Sequence, residues 1–453
     1  MVNPTNILIS RTDAIGDVCL TLPVCQAIKD AFPNSQLTYL CKGYTQAVVA
    51  CFEPIDQILI LEELEHSAQK ERNAQLGQFD VVIHLFPNKK VAQWCKQAKI
   101  PMRIGTSHRF FHLLTCNFRP HFTRKRSDLH ESQLNFKLLA PLGLTNVPTF
   151  LELSNKLRFK TPDLTNQIVD HDWSQTVLIH PKSNGSGAEY PLEKYMALAT
   201  ELVKKGYQVF FTGTEKEGAQ FRTQIPAHPA ITDATGQWDL PTFIQIIAKS
   251  KALVACSTGP YHIAGLCGIQ AIGLFAQRKP IHPGRWAALG ANSSALTLPV
   301  LCNTCAKGNP CNCIEKIEIQ EIIHAIEKSK IDTTLARLVP VPSSTSSQRR
   351  RGRSFIVDLV TKITDRTGIQ MLDCLQLSRR VLDQSGLHRD ERATNLAGAF
   401  RITSQARGEL ILIDDVVTTG ATLREALRAV NSQGFHAAGS VSAVTACVAQ
   451  PLR

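Results

Sequence analysis

The chain has 453 residues, of which 43% are hydrophobic and 19% are charged, and its formal net charge at pH 7 is +12. A chain of this length exceeds one ordinary hydrophobic core, so we expect two or three domains. The composition is typical of ordered globular protein and argues against disorder. The positive charge indicates anionic partners without choosing among phosphates, nucleotides, acidic lipids and nucleic acid.

The sequence lacks the signals of secretion and of membrane insertion. The opening MVNPTNILIS passes from a polar start directly into a predicted strand, and no stretch reaches the roughly 18 uninterrupted apolar residues of a spanning helix. The 14 cysteines are scattered singly apart from a cluster at 302–313, which fits a reducing compartment better than a disulfide scaffold. We therefore expect a cytoplasmic protein.

Predicted strands and helices alternate along the first 330 residues. Apolar runs predict strands over 6–10, 36–42, 79–86, 176–181, 208–213, 252–257 and 271–276, and helical spacing predicts helices over 18–33, 191–205 and 240–250. This alternation predicts an α/β fold with parallel sheets. We expect two doubly wound domains, 1–165 and 166–330, with a cleft between them. Ligands of such sheets bind at the carboxyl ends of the strands.

The basic residues change type near residue 330. Residues 1–330 contain 23 Lys and 11 Arg, whereas residues 331–453 contain 1 Lys and 15 Arg. This difference favours segments of separate ancestry, although a local surface preference would also produce it. The segment LVPVPSSTSSQRRRGRSF (338–355) combines a short strand, a Ser-rich stretch and an Arg cluster. We interpret 331–348 as a linker and 349–453 as a further domain.

The segment RTDAIGD places Gly16 and Asp17 between a strand and the start of a helix. An acid that faces the interdomain cleft at this position could serve as the general base for an attacking hydroxyl. An acid at a helix start is also a common N-terminal cap. The local sequence alone favours the cap.

Three loops after strands of the second domain predict a nucleotide site. In CSTGPYHIAGLCG, Thr258, Gly259 and His262 lie where a strand gives way to a helix, whose free N–H groups can bind a diphosphate. His262 alone is more often a structural residue. HPKSNGSGAEYP offers Lys182 and Ser183, and TGTEKEGAQF offers Glu215 for ribose hydroxyls.

Residues 5–330 resemble glycosyltransferase family 9, the heptosyltransferases of lipopolysaccharide core assembly. The matching segments, in the family's order and spacing, are RTDAIGDVCLTLPVCQAIKDAFP, FDVVIHL, TDATGQWDLPTFIQIIAKSKALVACSTGPYHIAGLCGIQAIGLF and CNTCAKGNPCNCIEKI. The resemblance implies a GT-B fold, a pair of Rossmann-like domains with the acceptor on the N-terminal side. It implies inverting, metal-independent transfer of a heptose or related sugar from an ADP-sugar, without a cofactor.

The resemblance also implies roles for particular residues. The acid of the Gly-Asp motif is the base in the family, which assigns that role to Asp17. The diphosphate is held by the later motif, which corresponds here to Thr258, Gly259 and His262. Ser257, which stands where many members have Asp, is assigned to the same nucleotide-sugar site. We expect Lys182 to replace a lysine that many members carry before the aromatic-Pro pair.

A basic stretch at 89–126 lies in the acceptor half. It contains Lys89, Lys90, Lys96, Lys99, Arg103, Arg109, Arg119, Arg124, Lys125 and Arg126. An anionic lipopolysaccharide-type acceptor at the cytoplasmic face of the inner membrane would suit it, and a solvated basic face is an equally good interpretation. We do not expect a nucleic-acid partner.

Four cysteines form a cluster, namely Cys302, Cys305, Cys311 and Cys313. Four thiolates could bind Zn²⁺, but the closing C-x-C is not a typical zinc-ribbon spacing. The spacing therefore favours four free cysteines over a structural zinc site.

The segment ILIDDVVTTGAT predicts a second ligand site. A buried strand delivers Asp414 and Asp415, whose carboxylates could accept ribose hydroxyls, and the loop 416–422 could wrap a 5′-phosphate through Thr418, Thr419, Gly420 and Thr422. Residues 335–453 resemble the phosphoribosyltransferase family, specifically its ComF-like members, in a form truncated at the front. The resemblance implies a partial type I phosphoribosyltransferase domain that binds phosphoribosyl pyrophosphate, usually with Mg²⁺.

Three hypotheses for the whole chain follow. The first is a sugar-nucleotide transferase with a phosphoribosyl-binding appendage. The second is a bifunctional enzyme, and the third is a non-catalytic chimeric binding protein.

Overall fold

The computed structural model describes most of the chain. Outside the described residues lie 1–3, 125–126, 156, 163–170, 184, 186, 299–301, 310, 328–335, 343–354, 380, 382–394, 404–409, 418–420, 433–440 and 449–453. The backbone alone is described at 151, 155, 306, 415–417, 431–432 and 441–448. The chain divides into two compact units, Met1–Lys328 and Ser329–Arg453.

The first sheet of the first unit is fully parallel. Its strands are β1 (Asn6–Ser10), β2 (Gln36–Cys41), β3 (Gln57–Ile60), β4 (Val81–His84) and β5 (Met102–Ile104), in the order β3-β2-β1-β4-β5. The central strand β1 is buried along its length after Asn6. The order reverses at β1, so the loop that follows β1 opens at the point where ligands of such sheets bind. Asp17 lies just beyond that loop.

The second sheet of the same unit is also parallel. Its strands are β6 (Thr176–His180), β7 (Gln208–Phe211), β8 (Ile231–Asp233), β9 (Ala252–Cys256), β10 (Gln270–Leu274) and β11 (Ser293–Leu296), in the order β11-β10-β9-β6-β7-β8. The central strands β6 and β9 are buried throughout. All seven predicted strands of the first unit are therefore confirmed. The four peripheral strands β3, β5, β8 and β11 were not predicted.

Helices cover both sheets. In the first half they are α1 (Ile15–Cys19), α2 (Leu22–Ala31), α3 (Gln46–Ala50), α4 (Leu61–His66), α5 (Gln69–Leu76), α6 (Lys89–Gln97), α7 (Phe110–Thr115), α8 (Glu131–Phe136) and α9 (Phe150–Asn155). In the second half they are α10 (Leu192–Lys204), α11 (Glu215–Gly218), α12 (Leu240–Lys249), α13 (Gly259–Leu266), α14 (Pro283–Trp286), α15 (Asn303–Ala306) and α16 (Ile319–Glu327). Short 3₁₀ helices lie at Gly43–Thr45, Lys137–Leu142, Trp173–Gln175, Arg222–Gln224 and Cys313–Lys316.

The prediction of one helix over 18–33 is wrong, since the segment contains the end of α1 and a separate α2. Pro23 lies at the second position of α2, where its missing N–H costs nothing. The same proline could not continue a helix from Cys19, because its ring and absent donor break the hydrogen-bond ladder. Beyond the break, α1 packs against α13 of the second half.

The two predicted domains of the first unit share one hydrophobic core. Its buried side chains come from both sheets, including Ile9 and Val24 on one side and Ile246 and Tyr261 on the other. Two pairs of helices, α1 with α13 and α3 with α12, join the halves. The cleft expected between the domains is therefore bounded by packed helices.

The second unit contains a parallel sheet and an antiparallel pair. The parallel strands are β12 (Arg337–Pro340), β13 (Gln370–Met371), β16 (Leu410–Val417) and β17 (Val441–Val448), in the order β13-β12-β16-β17, while β14 (Leu375–Leu377) pairs with β15 (Phe400–Ile402). The longer helices among its described residues are α17 (Phe355–Thr367) and α18 (Ala421–Ser432). Residues 337–340, interpreted from sequence as linker, pair with β16 and so belong to this sheet.

Among the described residues, no helix is both long and apolar enough to cross a membrane.

Candidate functional site

The starts of α1 and α13 pack directly on one another through two glycines. A Cβ atom on Gly16 would lie 2.7 Å from Cδ2 of His262, and one on Gly259 would lie 2.9 Å from Cβ of Ile15. Distances below 3.0 Å are essentially never seen for real Cβ atoms, so each glycine is needed for the approach of the opposite helix. The contact brings the loop after β1 against the loop after β9.

A cavity of about 860 Å³ opens beside this contact. It is lined from the first half by Ala14, Ile15, Gly16 and Tyr44, and from the second half by residues that follow β6, β7, β8 and β9. The size falls within the range of small-molecule sites. We call it the donor cavity. Of the predicted nucleotide-site residues, Lys182, Ser183, Glu215, Thr258 and Gly259 line it.

The start of α13 presents unsatisfied polar groups beside the donor cavity. Thr258 is the N-cap residue, yet its side chain makes no capping hydrogen bond, and its buried Oγ1 has no partner among the described residues. Buried Nδ1 of His262 likewise has none. Burial lowers the pKa of His262 to about 3, with a smaller contribution from His130, so the imidazole is neutral near pH 7. Buried polar atoms without partners mark a place that a ligand can complete.

The loop after β6 is held in place by Glu189. Its Oε2 accepts a hydrogen bond from Nζ of Lys182 at 2.5 Å, and its Oε1 accepts from N and Oγ of Ser183 at 2.9 and 3.0 Å. Burial would raise the pKa of Glu189, but the bonds from Lys182 and Ser183 outweigh it and leave the pKa lowered. Lys182 is thus positioned in the cavity wall by a carboxylate that sequence analysis did not identify.

Glu215 lines the donor cavity, but it is already paired. Its two carboxylate oxygens accept from Nη1 and Nη2 of Arg222 at 2.8 and 2.9 Å, and its side chain is 68% exposed. The hydrogen bond from Arg222 lowers the pKa of Glu215. Any ribose contact by Glu215 therefore competes with Arg222 and with water.

Ser257 lies between β9 and Thr258, is half-buried, and does not line the cavity.

An apolar wall of the donor cavity was missed by sequence analysis. It is formed by Trp238, Leu240 and Phe243 around the start of α12. The rings of Trp238 and Phe243 stack with centroids 6.0 Å apart and planes at 21°. The segment GQWDLPTFI contains these residues, but the sequence analysis placed only Leu240 and Phe243 in a predicted helix over 240–250 and assigned Trp238 to no site. An aromatic surface of this kind suits a flat nucleobase.

A second cavity of about 440 Å³, here called the acceptor cavity, opens next to β1 and β4 in the first half. Its lining is rich in charge and consists of Arg11, Asp13, Leu85, Phe86, Pro87, Thr106, His108, Arg109, Phe122, Thr123, Arg124, Glu131, Arg285 and Trp286. Glu131 is buried and accepts from Nη2 of Arg285 at 2.7 Å and from Nε of Arg124 at 2.9 Å. Four arginines and two acids line this cavity, so the net charge of its lining is positive.

Asp17 lies between the two cavities without lining either. The preceding residue, Gly16, lines the donor cavity. Arg11 lines the acceptor cavity and donates a hydrogen bond from Nη2 to Oδ1 of Asp17. Burial raises the pKa of Asp17 and the charge of Arg11 opposes the rise. The N-cap position of α1 is Ala14 and carries no side-chain cap, and the side chain of Asp17 is hydrogen-bonded to Arg11 rather than to the helix end.

Asp13 is a second acid that sequence analysis did not single out. It lines the acceptor cavity and accepts from Nε of Arg11 at 2.7 Å. Burial raises the pKa of Asp13 to about 6 against the opposing charge of Arg11. Arg11 therefore bridges two partly buried carboxylates. The motif RTD showed these residue types, but their convergence on one guanidinium depends on the turn after β1.

The described residues of the basic stretch over 89–126 lie in different surroundings. Arg109 and Arg124 line the acceptor cavity, whereas Arg103 donates from Nε to the backbone O of Thr115 at 2.8 Å. Lys89 and Lys90 lie exposed at the start of α6. Lys125 and Arg126 lie outside the described residues. Only part of the stretch is thus available to an acceptor in the cavity.

In the second unit, the predicted ligand loop is described only at its edges. Asp414 lies buried in β16, and that strand continues through Asp415 to Val417 rather than ending at the aspartates. Thr418, Thr419 and Gly420 lie outside the described residues. Thr422 is half-buried in the first turn of α18.

The first unit is similar to known glycosyltransferases in sequence and in fold. The profile of glycosyltransferase family 9 (heptosyltransferase) matches residues 71–314. A candidate glycosyltransferase of Haemophilus influenzae is 25% identical over 297 residues, covering 62% of this chain and 85% of that protein. The lipopolysaccharide core heptosyltransferase OpsX of the same organism is 23% identical over 302 residues, covering 61% and 81%.

A solved structure shows the same fold. The heptosyltransferase WaaC of E. coli, determined with ADP, superposes with a TM-score of 0.55 at 17% identity, over 71% of this chain and 99% of that one. The superposition supports the GT-B arrangement of the two parallel sheets.

Proposed function

The chain belongs to glycosyltransferase family 9 and is a glycosyltransferase, and we propose that it moves a heptose, or a closely related sugar, from an ADP-sugar to a lipopolysaccharide core acceptor. The observation that carries the proposal is the contact of α1 with α13. Gly16 packs on His262 and Ile15 packs on Gly259, so the acid at position 17 stands next to the helix start that would hold the diphosphate.

The donor nucleotide is proposed to occupy the donor cavity. Its base stacks on Trp238, its ribose reaches Glu215, and its diphosphate meets the N–H groups at the start of α13 together with Thr258 and Lys182. WaaC was solved with ADP and shares the fold, which supports an adenosine diphosphate leaving group. A diphosphate would supply the hydrogen-bond partners that Thr258 and His262 lack.

The proposed reaction is a single displacement. An acceptor hydroxyl transfers its proton to a carboxylate oxygen of Asp17 while its oxygen attacks the anomeric carbon of the sugar. The bond from that carbon to the diphosphate breaks, the electron pair leaves with the nucleoside diphosphate, and the anomeric configuration inverts. Positive charge from Lys182 and the helix start stabilises the leaving group, so the transfer needs no metal ion.

The acceptor is proposed to enter the acceptor cavity. Arg109 is exposed there, and the surplus of arginine over acid favours an anionic glycolipid over a neutral one. OpsX, named for the lipopolysaccharide core, supports this class of acceptor. We propose that transfer takes place at the cytoplasmic face of the inner membrane, where peripheral contact would present such a substrate.

The test is transfer from ADP-heptose to a core acceptor by the wild type and by two matched variants. Asp17→Asn should lower kcat by about 10²–10⁴-fold, because a positioned general base contributes on that scale, while the Kd for ADP stays unchanged. Asp13→Asn removes a neighbouring carboxylate from the same arginine and should lower kcat far less. Undiminished turnover by Asp17→Asn would remove Asp17 as the base.

The pH dependence of kcat provides a second check. The base must be ionised, and burial raises the pKa of Asp17 above its ordinary value of 3.8. The acid limb of the profile should therefore fall at a higher pH than an ordinary aspartate would produce. A flat profile down to pH 4 would contradict this assignment.

For the second unit we propose binding of phosphoribosyl pyrophosphate, with Mg²⁺, by the segment after β16. The observation that favours it is the buried position of Asp414 in the second half of β16, an inner strand of the parallel sheet that leads into α18. Calorimetry with phosphoribosyl pyrophosphate and Mg²⁺ on the wild type and on Asp414→Asn/Asp415→Asn tests this. Absence of heat in the wild type would overturn it and leave the transferase proposal untouched.

A further inference from the structure

Four cysteine side chains converge in the segment between β11 and α16. Their Sγ atoms all lie within 4.8 Å of one another, with 3.3 Å between Cys302 and Cys311 and 3.4 Å between Cys305 and Cys313. Sulfurs bound at about 2.3 Å to one tetrahedral ion are roughly 3.8 Å apart. The observed separations bracket this value, so one ion fits among the four sulfurs with only small shifts.

Backbone N–H groups point at two of these sulfurs. The N–H of Cys313 donates to Sγ of Cys311 with N···S at 3.3 Å. The backbone N–H groups of Cys305 and Thr304 face Sγ of Cys302. Such donors stabilise an anionic sulfur, whereas the sulfur of a disulfide carries no charge for them to stabilise.

We propose that the thiolates of Cys302, Cys305, Cys311 and Cys313 bind one structural metal ion, zinc or iron. A tetrahedral set of four sulfurs selects these metals over the hard cations that prefer oxygen. Four protein ligands leave no open position for water or substrate, so the ion has no part in sugar transfer. Binding releases the thiol protons and stabilises the folded segment by the free energy of binding.

The site would support the wall of the donor cavity. Cys305 and Cys313 are buried in the hydrophobic core of the second half. Near them, the hydroxyl of Tyr190 donates to the backbone O of Ile317 at 2.9 Å. Tyr190 directly follows Glu189, which positions Lys182 and Ser183. Loss of the ion should therefore loosen the loop after β6, in addition to lowering stability.

The test is metal analysis of the full chain purified under reducing conditions without chelator. The wild type should carry one equivalent of zinc plus iron, and its metal-free form should take up Co²⁺ with the thiolate-to-cobalt charge-transfer and visible bands of a tetrahedral site. Cys302→Ser should lose the metal and unfold at lower temperature. This position is only partly buried, so the substitution itself disturbs little packing. Cys267→Ser, a half-buried cysteine outside the cluster, should keep the full metal content.

Several results would overturn the proposal. One is wild-type protein that contains no zinc or iron and gives no cobalt spectrum. Another is an intact mass lower by four hydrogens in protein prepared without reductant from metal-supplemented cells, which would show two disulfides. Full metal content in Cys302→Ser would do the same. Metal content does not depend on sugar transfer, so this proposal and the proposed function fail separately.

Discussion

The donor and acceptor cavities differ in how their polar groups are satisfied. At the donor cavity, buried Oγ1 of Thr258 and Nδ1 of His262 lack partners in the described part of the chain. At the acceptor cavity, buried Glu131 is already paired with Arg124 and Arg285. A ligand can supply the hydrogen-bond partners that are missing at the donor cavity, whereas the charges of Arg124 and Arg285 at the acceptor cavity are already paired with Glu131. We therefore expect substitutions at the donor cavity to change ligand affinity and those around Glu131 to change stability first.

The largest expected effect comes from Glu131→Gln. The substitution removes the buried negative charge that pairs with Arg124 and Arg285. It should destabilise the first unit by about 3–5 kcal/mol, because breaking a buried ion pair leaves the remaining charge uncompensated. Urea unfolding at pH 7 measures this change in the free energy of unfolding. Glu65→Gln, which removes an exposed partner of Lys90, should change stability by less than about 1 kcal/mol.

The same variant gives a pH dependence with a definite sign. Burial would raise the pKa of Glu131, but Arg124, Arg11 and Arg285 outweigh it and hold the pKa below its ordinary value of 4.5. A lowered folded-state pKa contributes stability that is complete above the unfolded value and is lost as pH falls through the folded value. The gap between wild type and Glu131→Gln should thus narrow below about pH 4.5. A gap that widens there would contradict the charge pairing.

The next effect concerns the contact between the halves. Gly259→Ala places a methyl group 2.9 Å from Cβ of Ile15, so the helices must separate. Overpacking of this kind costs about 1–3 kcal/mol, and here it should also weaken ADP binding. Gly43→Ala is the control, since its nearest neighbour would be at 3.7 Å. Equal stability and equal ADP affinity in both variants would show that the contact tolerates separation.

A more selective effect is expected from Trp238→Ala. Loss of base stacking should weaken ADP binding by about 1–3 kcal/mol, measured by calorimetry. Trp286→Ala removes an aromatic ring from the acceptor cavity and should leave the Kd for ADP unchanged. If the two substitutions weaken ADP equally, the assignment of the nucleotide to the donor cavity is wrong.

The smallest effect is expected from Glu215→Gln. The side chain is exposed and already bonded to Arg222, so the substitution should weaken ADP binding by less than about tenfold. Arg222→Ala frees the carboxylate and should keep or slightly improve affinity. A loss above tenfold in Glu215→Gln would mean that the ligand displaces Arg222 and depends on the carboxylate more than proposed.

Much of the fold could be predicted from the sequence. Buried parallel strands are continuous apolar runs, so β1, β6 and β9 stand out from their neighbours and their ends locate the ligand loops. The edge strand β11, with the sequence SSAL, is only partly buried and carries no such run, whereas β3 was missed although Ile58, Leu59 and Ile60 form a short apolar run. The motif residues Thr258 and Gly259 followed from strand ends alone.

What the sequence by itself determined is therefore local: the strands, the helix starts and the residue types placed at each loop. Only the tertiary structure decided which of these meet. Gly16 faces His262 across 246 positions of sequence, and Glu131 collects arginines from both halves. The positions of Trp238 in the donor cavity and of the four cysteines about one point are likewise products of packing. Periodicity reports which side of an element is buried, whereas contacts between distant segments depend on how whole sheets and helices fit together.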